Sequence, residues 1–146
     1  MRLEALLSQN MQCDAAHSDV EITGLTADSR IVAPGYLFAA LPGEHVDGNR
    51  FVAQAVARGA AAVLTSQPDA GLLVPVLYDE NPRRALAELA GRFFAFRPEC
   101  TVGITGTNGK TSTAAFLRQF WTDASLPAAS LGTLGVVTQE FTRPIN

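Results

Sequence analysis

Residues 100–113 read Cys-Thr-Val-Gly-Ile-Thr-Gly-Thr-Asn-Gly-Lys-Thr-Ser-Thr, and Ala-Ala-Phe-Leu-Arg-Gln-Phe-Trp follows directly. A β-prone run, Cys100 to Thr105, ends in two glycines three apart and gives way to a helical pattern. The order strand, glycine loop, helix constrains the chain to an α/β fold whose sheet presents a loop to a ligand. Lacking a Cβ, Gly106 and Gly109 let the backbone take positive φ and approach a bulky anion. The amides that open the helix then point at that anion along the positive end of the helix dipole. Polyphosphate fits, cradled by Gly106, Thr107, Asn108, Gly109, Lys110, Thr111 and Ser112. Lys110 reaches the β/γ oxygens as a point charge, the Thr111 hydroxyl is the expected Mg2+ ligand, and Ser112 adds a hydroxyl donor.

The generic pattern G-x-x-x-x-G-K-[ST] requires glycine at position 104, where this chain has Ile104. Its leading glycine is Gly106, which shortens the pattern to G-x-x-G-K-T. A turn that merely ends a strand and starts a helix is the plainer alternative; Gly-Lys-Thr placed between a β-run and a helix argues against it.

The chain has 146 residues, 47% of them hydrophobic and 17% charged, which suits a globular core. Only about 40 residues follow the loop, whereas a nucleotide-binding α/β sheet needs several further strands. We therefore expect the N-terminal part of a longer enzyme, ending inside a domain. The formal net charge is −3 and no basic cluster exceeds Arg83-Arg84, so nucleic acid and anionic lipid are not expected partners. Cys13 and Cys100 lack metal or C-x-x-C spacing and read as buried thiols of a reducing cytosol. Residues 1–7 lack the apolar core of a signal peptide. Arg58, Asp69, Glu88 and Arg92 interrupt the longest apolar runs, so no membrane span is expected.

Periodicity gives the elements in order. Leu3, Leu6 and Leu7 suit a helix over about 2–9, and residues 20–23 alternate like a strand. Pro34-Gly35 suits a type II turn and residues 36–41 a buried strand. Residues 43–50 form a polar loop, a placement that often carries ligand contacts. A helix over about 49–58 buries Phe51, Ala55 and Val56 and is capped by Gly59. Strands follow at 61–65 and 74–78. Asn81-Pro82 starts a helix that runs to about Phe96 with a stripe of Ala85, Leu86, Leu89, Phe93 and Phe96, and Pro98 breaks it at the expected domain boundary. Beyond the glycine loop, Phe116, Leu117 and Phe120 give the next helix its buried side with Trp121 flanking. Leu126-Pro127 ends that helix, and 128–133 returns as a strand.

Thr-Gly-Thr-Asn-Gly-Lys-Thr resembles the ATP loop of the Mur ligase superfamily, the ATP-dependent amide-bond synthetases of peptidoglycan assembly, which share the shortened spacing. Folylpolyglutamate synthetases share it too, but usually with Gly-Lys-Gly-Ser, and they lack the upstream motifs. Those motifs are Leu25-Thr26-Ala27-Asp28-Ser29-Arg30, Pro34-Gly35-Tyr36-Leu37-Phe38-Ala39-Ala40 and Gly43-Glu44-His45-Val46-Asp47-Gly48-Asn49-Arg50-Phe51. They are similar to the N-terminal domain of the MurE and MurF branches. Thr-Asn-Gly-Lys-Thr-Ser-Thr is similar to MurE, whereas MurF usually shows Gly-Ser after the strand.

The resemblance implies a small α/β domain over 1–98 that binds the UDP end of UDP-MurNAc-L-Ala-D-Glu. The start of a P-loop-type ATP-binding α/β domain follows over 99–146. It implies ATP and Mg2+ as cofactors, an incoming amino acid, a monomer and a cytoplasmic location. Ala27 and Ser29 would lie by the uracil, and Glu44, His45 and Val46 would line the uridine diphosphate site. Glu44 would present its backbone, because its carboxylate would repel a pyrophosphate. From the residues alone, Asp28-Ser29-Arg30 is turn chemistry and His45 an exposed loop histidine. The implied reaction phosphorylates the D-glutamate side-chain carboxylate, and an amine then attacks the acyl phosphate. Further Mg2+ ligands, a modified lysine and the domain selecting meso-diaminopimelate or L-lysine would lie past residue 146, so this stretch is expected to be inactive alone. A MurF-type ligase and a nucleotide-sugar-binding module without catalysis are the alternatives.

Overall fold

The computed structural model describes residues 1–7, 11, 19–43, 46–67 and 71–144. They form two compact units, Met1–Arg97 and Pro98–Asn146.

The first unit is built on a four-stranded, wholly parallel sheet of β1 (Gly24–Thr26), β2 (Tyr36–Ala39), β3 (Ala62–Thr65) and β4 (Val76–Tyr78), in that spatial order. The register pairs Leu25 with Leu37, Phe38 with Val63 and Leu64 with Leu77. Parallel strands are covered on both faces, which is why β2 and β3 are apolar without alternation. Successive side chains nevertheless part company. Leu37, Ala39, Ala62, Leu64 and Leu77 pack on one face with Leu3 and Leu6 of α1 (Leu3–Leu6) and with Ala85 and Leu89 of α3 (Pro82–Phe93). Phe38, Ala40 and Val63 pack on the other with Val52 and Ala55 of α2 (Val52–Ala57).

Local chemistry sets the boundaries. The Tyr36 amide donates to the Ala33 carbonyl at 3.1 Å across Pro34-Gly35, with Gly35 at φ +85°, the geometry of a type II turn. A 3₁₀ turn, Gly48–Phe51, leads into α2. At the far end Gly59 donates to the Val56 carbonyl and Ala60 to that of Ala55, the paired bonds of a Schellman cap. In α3 the Asn81 side chain accepts from the Arg84 amide at 3.1 Å, with Pro82 in the first turn.

Four expectations for this unit are corrected. The strand expected at 20–23 is a single bridge, Glu21 to Arg2, because its backbone is taken up by the N-terminal segment: Leu3 donates to Val20 and Ile22 to Met1. The helix at 2–9 closes at Leu6, with residues 8 and 9 outside the described set. Phe51 is exposed, and Val52 takes its place beside Ala55. Helix α3 stops at Phe93, leaving Phe96 99% exposed: Phe94 turns to extended backbone as the C-cap, and Arg97 Nε donates to the Gly91 carbonyl at 3.0 Å, satisfying an acceptor of the last turn.

The second unit holds α4 (Lys110–Asp123) and an antiparallel sheet of β5 (Ser130–Gly132), β6 (Gly135–Val137) and β7 (Thr142–Arg143). The strand expected at 100–105 is not formed: β-propensity supplies suitable residues, but a strand needs a neighbour, and β5 pairs with β6 instead. Cys100 is correspondingly exposed rather than buried, and Cys13 lies outside the described residues. The buried side assigned to α4 is wrong in part. Phe116 and Phe120 are 61% and 67% exposed, whereas Leu117, as expected, lines an inner cavity together with Ala114, Ala115, Arg118 and Trp121, most of which lie nearly half a turn from the two phenylalanines at 100° per residue.

Candidate functional site

Gly106 at φ +144° and Gly109 at φ +76° set the path of the glycine loop, and Gly109 serves as the N-cap of α4. A side chain would strain the loop at either position. The Gly109 carbonyl accepts from the Thr113 amide at 2.9 Å, while the amides of residues 106–112 donate no hydrogen bond among the described residues. All seven residues are exposed. Seven consecutive free donors at the positive end of a 14-residue helix have the makeup of a site for an anion. The Lys110 ammonium folds back over it, donating to the carbonyls of Gly106 and Thr107. The Thr111 hydroxyl lies 3.3 Å from that of Thr133.

Among the described residues no group of three or more His, Cys, Asp or Glu could hold a metal. One hydroxyl beside a row of free amides fits the donor set of Mg2+, which keeps several waters and is usually held through substrate phosphates rather than by an all-protein cage. Beside the loop lies a cavity of about 640 Å³, bordered by Lys110 and Thr111 and walled by Val102, Ile104, Trp121 and Leu131.

In the first unit the carboxyl ends of all four strands share one edge, where open α/β sheets bind ligands. Ala27 and Ser29 follow β1, and Val46 follows β2; Glu44 and His45 lie outside the described residues. Ala27 and Val46 are exposed, whereas Ser29 is buried and donates to Gln54 Oε1 at 3.1 Å. Arg58 also donates to the Arg30 carbonyl at 2.5 Å, so two residues on and just after α2 fix the turn after β1. Asp28 pairs with Arg30 through Nε and Nη2 at 2.9 and 2.7 Å and accepts the Arg30 amide at 2.8 Å.

Those bonds, first the Arg30 side chain and then its amide, lower the Asp28 pKa to about 2 from an ordinary 3.8. A depressed carboxylate contributes stability that is present above the unfolded value and lost as pH falls through about 2. Carbonyl NMR should titrate Asp28 near 2 and move it toward 3.8 in Arg30→Gln; a value near 3.8 in the parent chain would refute the pairing.

Sequence reasoning missed three contributors to these edges. Buried Thr65 ends β3 and donates to Asn49 Oδ1 at 2.5 Å, and Asn49 donates to Asp47 from its amide and side chain at 2.9 and 2.8 Å. Gln54 holds Ser29, and Thr133 meets Thr111. The one available signal was Thr65, a polar end on an otherwise apolar strand.

A family model described as Mur ligase family, catalytic domain, matches residues 21–94, within the first unit and short of the glycine loop. The chain is 44% identical over 142 residues to a UDP-N-acetylmuramoyl-L-alanyl-D-glutamate--2,6-diaminopimelate ligase of Bradyrhizobium diazoefficiens, covering 97% of the chain and 29% of that relative. A solved structure described by the same ligase name matches with a TM-score of 0.76 over 99% of this chain and 30% of its own, at 22% identity, a likeness of fold. A MurF ligase from Thermotoga maritima, solved in complex with ADP, gives 0.57 over 71% of this chain and 24% of its own, at 26% identity. This chain therefore spans less than a third of each of these three proteins. With half its length under the family model, the chain belongs to the Mur ligase family.

Proposed function

We propose that this chain supplies the substrate-binding and phosphate-loop portions of an ATP-dependent ligase of peptidoglycan precursor synthesis, of the MurE type, acting in the cytoplasm. The ligase adds a third residue, meso-diaminopimelate or L-lysine, to UDP-MurNAc-L-Ala-D-Glu. The observation that carries the reading is the row of unpaired amides at 106–112 capped by Lys110. The 44% identity to a diaminopimelate ligase favours MurE over MurF.

In this reading the first unit holds the UDP moiety at its carboxyl edge, with Ala27 and Ser29 by the uracil and residues 44–46 along the diphosphate. In the second unit, the amides of Gly106 through Ser112 hold the nucleotide's phosphates. Lys110 leaves the loop carbonyls for the β/γ oxygens, offsetting charge that builds as the γ-phosphoryl group moves to the substrate carboxylate. Mg2+ bound through Thr111 would supply further neutralisation of the phosphate oxygens. The chain's contribution is positioning and electrostatics.

Calorimetry should show UDP-MurNAc-L-Ala-D-Glu binding to the 146-residue chain. Mass spectrometry after adding ATP, Mg2+ and either amino acid should show no tripeptide product. Lack of UDP-substrate binding would overturn the role given to the first unit. Product formation would overturn the assignment of the remaining chemistry elsewhere.

A further inference from the structure

We propose that Thr133 is a positioning residue for the phosphate loop: its hydroxyl oxygen accepts the Thr111 proton and so turns a Thr111 lone pair toward a phosphate-bound Mg2+. The proposal rests on the reading of residues 106–112 as the nucleotide site.

The two hydroxyl oxygens lie 3.3 Å apart, and either can donate. A threonine hydroxyl has one proton and two lone pairs. Coordination to a divalent cation occupies a lone pair and leaves the O–H bond more polarised, so the proton needs an acceptor. The usual helical acceptor is a carbonyl three or four residues back. Here the hydroxyl partner that Thr111 has among the described residues is Thr133. Donation in the opposite sense, from Thr133 to Thr111, would occupy one of the two Thr111 lone pairs and leave the polarised Thr111 proton without this acceptor. Metal binding therefore selects one of the two directions.

The fold holds Thr133 in place. It occupies the two-residue turn between Gly132 and Gly135, which face each other across the β5–β6 ladder. Gly135 is buried at φ +90°, where an added Cβ would stand 2.1 Å from the Arg143 carbonyl oxygen, so β7 braces the hairpin against sliding. The turn approaches the first turn of α4 from 22 residues farther along the chain, a separation that local sequence spacing does not reveal.

The test compares the parent chain with Thr133→Val, which keeps the shape and removes the hydroxyl, and with Thr133→Ser, which restores it. Circular dichroism confirms folding, and Mn2+ replaces Mg2+ as a paramagnetic probe. Affinity for Mn2+·ADP, read by electron paramagnetic resonance, should fall about 3- to 10-fold in Thr133→Val, the range of one hydrogen bond, and recover in Thr133→Ser. Metal-free ADP in EDTA should bind all three equally. Parent-like Mn2+·ADP affinity in Thr133→Val, or an equal loss for metal-free ADP, would overturn the proposal while leaving the nucleotide site standing. Failure of the parent chain to bind ADP in either form would overturn both.

Discussion

Lys110→Ala is expected to weaken Mg2+·ATP binding by on the order of 10- to 100-fold, the range of a lost charge-assisted hydrogen bond, while leaving affinity for UDP-MurNAc-L-Ala-D-Glu unchanged. The ammonium rests on carbonyls of the loop that offers its free amides. Its removal takes a full positive charge from that surface and spares the helix end, since the Gly109 conformation and the Thr113-to-Gly109 bond do not involve the side chain. Lys110→Arg should retain only part of the affinity, because a planar guanidinium cannot follow the path of a slim ammonium. Titrations of each variant with both ligands check the division of labour. Equal losses for ATP and the UDP substrate would argue that the two units do not bind separate ligands.

The largest expected loss of stability comes from Phe38→Ala, about 3–5 kcal/mol. Phe38 is 1% exposed on β2, which has β1 and β3 as neighbours, and its ring packs in the layer containing Val52, Ala55 and Val63. Whole domains are stable by only about 5–15 kcal/mol, so the variant should be largely unfolded under mild denaturant. Urea titration followed by far-UV circular dichroism measures the effect. Phe38→Leu should lose less, on the order of 1 kcal/mol, and Phe96→Ala, at a 99% exposed position, should match the parent. An unshifted midpoint for Phe38→Ala would mean that the α2 layer is not closely packed.

Parts of the architecture were legible wherever one chemical signal was unambiguous. Unbroken apolar runs announced β2 and β3, Asn81-Pro82 announced the start of α3, and paired glycines announced the loop before α4. The failures have physical reasons. Gly24-Leu25-Thr26 has no alternation to read, and its strand exists because β2 lies alongside. Phe116 and Phe120 form an apolar stripe, but a stripe states only a preference for burial and not which neighbour faces it. Ala27, Ser29 and Val46 came from the resemblance alone; in the sheet they follow β1 and β2, which lie side by side. The Thr65–Asn49 and Thr111–Thr133 pairs remained hidden because they span 16 and 22 residues, and hydroxyl partners at such separations leave no periodic trace.

The uniform direction of β1 through β4 has an evolutionary consequence. Each crossover emerges on the same rim, so insertions or replacements there can retune what the rim grips without shifting any ladder by a residue. Interior substitutions lack that freedom, because β2 and β3 bury side chains on both faces of the sheet. Change in descendants of this sequence should accumulate on the rim, while the sandwiched layer drifts slowly.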